Sequence, residues 1–117
     1  MFTYKALVTG VYDGDSITVD VDLGFKCWLK DVKLRLYGID TPEVRGPERP
    51  EGLFARDIVR QKILDKYVTL VTYKDKTGKY GRWLADVYPL EADFTDRTQS
   101  INHLLVQEGL AEVNFYD

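Results

Sequence analysis

Three observations predict a mainly β chain with helices (α+β). Short runs alternate apolar and polar residues, turns bearing Gly or Pro separate those runs, and two segments switch to helical spacing. For 117 residues this pattern suits a single domain spanning 1–117 with one core. Its most natural form is a small five-stranded Greek-key barrel of the OB-fold type with about two packed helices.

Residues 5–12 read as a first strand rich in Val, Leu and Tyr. Asp13-Gly14-Asp15 is a turn signal. From Ser16 to Asp22 the alternation is clean, with Ile17, Val19 and Val21 on one face and Ser16, Thr18, Asp20 and Asp22 on the other. Asp15 shares the parity of Ile17, which sets it at the rim of the apolar face. Gly24 marks a hairpin tip, and 25–30 and 32–39 give further strands, with Gly38 bending the second near Asp40. Thr41-Pro42 stops the ladder because Pro has no N–H to donate.

The segment 43–51 is expected to be a mobile, charged loop. Residues 52–66 read as a helix whose apolar stripe is Leu53, Phe54, Ala55, Ile58, Val59, Ile63 and Leu64. Tyr67 to Tyr73 is a β-branched strand, 76–79 a turn, and Trp83 to Tyr88 the returning strand. A polar connection over 89–99 reads as a tolerated surface insertion. Ile101, Leu104 and Leu105 mark a second helix ended by Gly109, and 110–116 adds a short last strand. Cys27, Trp28 and Trp83 are expected to pack against the barrel, and His103 to face solvent.

At 44% hydrophobic and 30% charged the composition is that of an ordinary globular chain. No apolar run approaches the length of a membrane span, so no membrane association is expected. No signal peptide is visible, which points to the cytoplasm as the sequence is written, or to secretion if a leader has been removed. Cys27 is the only cysteine, so no internal disulfide is possible. The net charge is −3, a poor match to a polyanion on that number alone. The distribution says more: 14 of the 16 Lys and Arg lie between Lys26 and Arg82, against 8 of the 19 Asp and Glu.

Three short segments carry chemistry: Asp13-Gly14-Asp15-Ser16, the run Arg35 to Glu43 (Arg-Leu-Tyr-Gly-Ile-Asp-Thr-Pro-Glu), and Lys79-Tyr80-Gly81-Arg82. Each alone matches common turns. Together they hold the equipment for phosphodiester hydrolysis. Two carboxylates, a carbonyl and waters suit a hard divalent cation. A third carboxylate can take a proton from the attacking water. Two guanidiniums can grip phosphate oxygens and neutralise charge that grows in the transition state.

In order and spacing these segments, with the later run Asn102 to Ala111, resemble the staphylococcal nuclease family over roughly residues 5–113. The resemblance implies a metal-dependent nuclease that leaves 3′-phosphate and 5′-hydroxyl ends on DNA and RNA, preferring single strands, and acts as a monomer. It implies calcium as cofactor, held by Asp15, Asp40 and the Thr41 carbonyl, with magnesium or another divalent cation as the variant. It makes Glu43 the general base and Arg35 and Arg82 the phosphate-binding, charge-stabilising pair. Lys79 and Tyr80 match positions that contact a terminal phosphate. Arg45 and Arg49, read from the loop itself, suit plain loop solubility first and guidance of the substrate backbone second.

The chain departs from the family pattern in its acidic balance, in lacking a C-terminal helix within these 117 residues, and in keeping only Phe115 of an aromatic pair whose second position is near Asp117. The alternative is a binding module that grips nucleic acid or protein without cutting. Such modules lose acidic or arginine residues of the site, whereas all five stand here.

Overall fold

The computed structural model describes residues 2–77 and 83–115, with backbone alone over 74–77. Five long strands close a barrel: β1 (Phe2–Asp13), β2 (Ser16–Gly24), β3 (Cys27–Leu36), β5 (Tyr67–Thr77) and β6 (Trp83–Pro89), in the order β1-β2-β3-β6-β5. All pairings are antiparallel except β3 with β6, which run parallel. Two short strands, β4 (Ile39–Asp40) and β7 (Glu112–Val113), pair at one end of the barrel. Two helices complete the fold, α1 (Arg49–Ile63) and α2 (Ile101–Gln107). The expected α+β barrel with two helices is the architecture observed.

The alternation read in β2 holds: Ile17, Val19 and Val21 are buried in the core with Val8, Leu34, Leu36, Leu70 and Val87. Helix α1 adds Val59 and Ile63, and α2 adds Ile101 and Leu105. Asn102 is fully buried and fastens α2 to the sheet, because its amide donates to the carbonyls of Tyr37 and Ala85 and its oxygen accepts from the Val87 N–H.

Several boundaries differ from expectation for identifiable reasons. The two strands expected at 25–30 and 32–39 are one strand with a bulge. Val19 pairs Val32 and Val21 pairs Leu29, so two residues oppose Asp20. The Asp20 carboxylate accepts the Asp31 N–H at 3.0 Å and holds Asp31 at φ 57. Helix α1 starts three residues earlier than expected because Pro50 occupies its first turn, where a missing N–H costs nothing. It ends at Ile63 because the chain turns back to β1, with the Asp65 N–H donating to the Val8 carbonyl and the Val8 N–H to the Lys66 carbonyl.

The charged loop before α1 is partly ordered as a 3-10 turn, Gly46–Glu48. Phe54, placed in the apolar stripe by its spacing, is instead 59% exposed. Cys27 is exposed, Trp28 lies beneath the Lys30 ammonium, and Trp83 is 48% exposed at the very start of β6. These three side chains are not barrel filling; they stand exposed at the starts of β3 and β6.

Candidate active site

The turn between β1 and β2 and the turn after β3 meet at one end of the barrel. The Leu36 N–H donates to the Asp15 carbonyl at 2.9 Å, which ties the Asp13-Gly14-Asp15 turn to β3. Leu34 and Leu36 face the core, so Arg35 between them points to the opposite face, where it is nonetheless buried. Its guanidinium donates to the Ile39 carbonyl at 3.0 Å and to the Asp40 carboxylate, and stands 3.8 Å from the Asp15 carboxylate. The Thr41 N–H donates to Asp15 Oδ2 at 3.2 Å. Four residues expected at the site, Asp15, Arg35, Asp40 and Thr41, are therefore in direct contact.

They line a cleft of about 720 Å³ together with Tyr12, Asp13, Glu43, Arg45 and Asn114, among others. Such a volume is ordinary for a ligand site. Glu43 is exposed on the cleft wall, and its N–H donates to the Glu48 carboxylate at 3.3 Å. Helix α1 sets its place: a Cβ on Gly52 would stand 2.0 Å from the Glu43 carbonyl oxygen, so only glycine admits the loop there. Arg49 donates to the Val44 carbonyl and pins the loop. Arg45 lines the cleft above the Tyr12 ring. Arg82, Lys79 and Tyr80 lie outside the described residues.

The electrostatics favour a cation. Burial first, then the neighbouring Asp13, push the Asp15 carboxyl up to about 8, against the Thr41 N–H and Arg35, which lower it. Among the described lining residues three aspartates and three glutamates face two arginines. The buried Thr41 hydroxyl oxygen has no hydrogen-bond partner among the described residues. The Asp15 and Asp40 carboxylates, both held at the Arg35 guanidinium, are oxygen donors of the kind a hard divalent ion takes. No group of three Asp, Glu, His or Cys side chains converges as a metal site among the described residues, so a cation here would draw on backbone oxygen or water as well.

The profile of the family described as "Staphylococcal nuclease homologue" matches residues 33–117. The chain belongs to the staphylococcal nuclease family. It is 36% identical to a thermonuclease of Staphylococcus hyicus, over 97% of this chain and 60% of that protein. It is 34% identical to a thermonuclease of Staphylococcus intermedius, over 94% of this chain and again 60% of the relative. The chain thus spans about 60% of the length of the curated relatives it matches.

The family segments account for the centre of the cleft, but three further elements were not legible from them. Asp13 lies under Asp15, its carboxylate accepting the Asp15 N–H at 3.3 Å; the doubled acid of Asp-Gly-Asp was its only signal. Asp86 is 2% exposed on β6 and is held by Arg97 from the 89–99 connection, at 3.1 Å, and by the Tyr73 hydroxyl. That connection is therefore more than a tolerated surface insertion, because it supplies the counter-ion of a buried carboxylate. Asn114 also lines the cleft and donates to Asp40. No periodicity marks an Asn in a two-residue strand's wake.

Among the described residues no helix is long and apolar enough to cross a membrane.

Proposed function

We propose that this chain is a calcium-dependent phosphodiesterase acting on DNA and RNA, preferring single strands, as one monomeric nuclease domain. The observation that carries the reading is the meeting of Asp15, Asp40, Arg35 and Thr41 at one cleft with Glu43 on its wall. The relatives are named thermonucleases, and all five side chains expected of the site are present in this sequence.

Asp15, Asp40 and the Thr41 carbonyl would hold the cation, with magnesium as the variant to test. When bound, the cation supplies positive charge against the phosphodiester and acidity to nearby water. Glu43, exposed to solvent, takes the proton of the attacking water. Arg35 and Arg82 bind the scissile phosphate and offset the charge that builds on its oxygens. Lys79 and Tyr80 contact a terminal phosphate. Protonation of the departing oxygen leaves a 5′-hydroxyl on one product and a 3′-phosphate on the other.

End-group analysis tests this chemistry. A single-stranded DNA oligonucleotide digested in calcium should yield 5′ ends that a kinase labels without prior phosphatase treatment. Glu43→Ser and Arg82→Ala should each slow cleavage by about 100-fold or more. Products with 5′-phosphates, or variants as active as the parent, would refute the assignment of roles.

A further inference from the structure

A brace of polar and aromatic contacts runs from the 89–99 connection to Asp40. Arg97 donates to the Tyr37 carbonyl at 2.9 Å, and its guanidinium lies 5.1 Å from the centre of the Phe115 ring. Phe115 meets Tyr37 edge-on at 5.4 Å, and Tyr37 packs on Tyr73 at 4.0 Å. The Phe115 ring can lie there only because residue 38 is glycine: a Cβ at Gly38, whose φ is +79, would stand 2.3 Å from a ring carbon. The Asn114 N–H donates to the Gly38 carbonyl at 2.7 Å, which fixes the backbone next to the ring. The Asn114 side-chain amide then donates to Asp40 Oδ2, while Arg35 donates to Oδ1.

We propose that Asn114 is a positioning residue for Asp40 as a cation ligand, and that the Arg97–Phe115 brace sets where Asn114 stands. The inference rests on the proposed role of Asp40 as a ligand. The Asp40 side chain is 44% exposed, so burial does not fix its carboxylate plane. Among the described residues one donor on each oxygen does, and a carboxylate oxygen with one donor has a second lone-pair direction for a cation. Hydrogen-bonding partners of this kind orient ligating carboxylates, and their loss weakens metal affinity. The pairing of β4 with β7, Asp40 opposite Glu112, holds the two backbones in register so that Asn114 reaches its target. A purely structural Asn114 would fasten the chain after β7 and leave calcium affinity untouched.

Calorimetric titration of the full chain with calcium, without nucleic acid, separates the two roles. The parent should bind, and Asp40→Asn should lose binding. Asn114→Ala should weaken calcium binding by about tenfold while its metal-free melting temperature stays near that of the parent. Phe115→Leu keeps the amide, removes the ring that seats it and leaves Asp86 paired; it should weaken binding by about threefold. Asn114→Ala binding calcium like the parent would overturn the proposal while leaving Asp40 as ligand. If Asn114→Ala does not fold, unchanged calcium affinity in Phe115→Leu overturns it instead. A parent that binds no calcium, or an Asp40→Asn variant that binds as well as the parent, would defeat the underlying ligand assignment.

Discussion

Asp86 shows what one carboxylate demands once it is buried. Arg97 and Tyr73 both bond to it, and neither is near it in sequence. Removing one partner of a buried pair leaves an uncompensated charge, which usually costs more than the pair contributes. Arg97→Ala should therefore destabilise the fold by about 3 kcal/mol in chemical denaturation, and adding Asp86→Asn should recover part of that loss. Burial, followed by the Asp86 carboxylate, pushes the Tyr73 hydroxyl well above its ordinary value. A tyrosine that holds its proton more tightly when folded contributes its full stability below about pH 10 and loses it as the pH climbs further. Phenolate absorbance should show Tyr73 ionising only with unfolding, and Tyr73→Phe should flatten the alkaline fall in stability. A Tyr73 that titrates at its ordinary value in the folded chain would contradict this.

At the scale of elements, α1 both fills the core and places Glu43, the proposed general base. Its buried face is Gly52, Ala55, Val59 and Ile63; the last three were plain in the helical spacing of the sequence, and Gly52 was not. Arg60 reaches from its last turn to the Val11 carbonyl, next to the Asp13 turn, so helix and site are fastened together. Gly52→Ala should push the Glu43 carbonyl away and cut the turnover rate on single-stranded DNA by about tenfold or more, with a smaller effect on calcium affinity. Turnover equal to the parent would show that the loop yields without cost.

The barrel strands were legible from β-branched alternation, and the contacts of Asp15, Arg35, Asp40 and Thr41 from the first two short segments; the third lies outside the described residues. Boundaries were less so. The Asp31 bulge depends on a carboxylate eleven residues away, and the end of α1 depends on hydrogen bonds to β1. Asp86 and Asn114 were not legible because each is defined by a tertiary partner, not by a local period, whereas Asp13 bonds within its own turn and was marked only by the doubled acid. Trp83 and Phe54 were misplaced for the opposite reason: spacing assigns a face, but not how far the opposing layer extends.

For the whole molecule, the balance of charge decides the order of events. The cleft carries more carboxylates than guanidiniums among its described residues, and the chain carries −3 overall. On the proposed reading, nucleic acid is held off until a divalent cation occupies the site, because like charges a few ångströms apart repel more strongly than distant, screened lysines attract. The Glu43→Ser variant, in which cleavage is expected to be slow, should hold single-stranded DNA about tenfold more tightly in calcium than in EDTA at low salt. Equal affinity in both would mean that the basic stretch alone recruits the substrate.

The most direct test of the central claim is the cleavage of a labelled single-stranded oligonucleotide by the purified chain in calcium, magnesium or EDTA. The account predicts cutting in calcium, little or none in EDTA, and loss of cutting when Asp15 or Asp40 is replaced by asparagine. Binding without cleavage under every metal, or cleavage undiminished in EDTA, would contradict it.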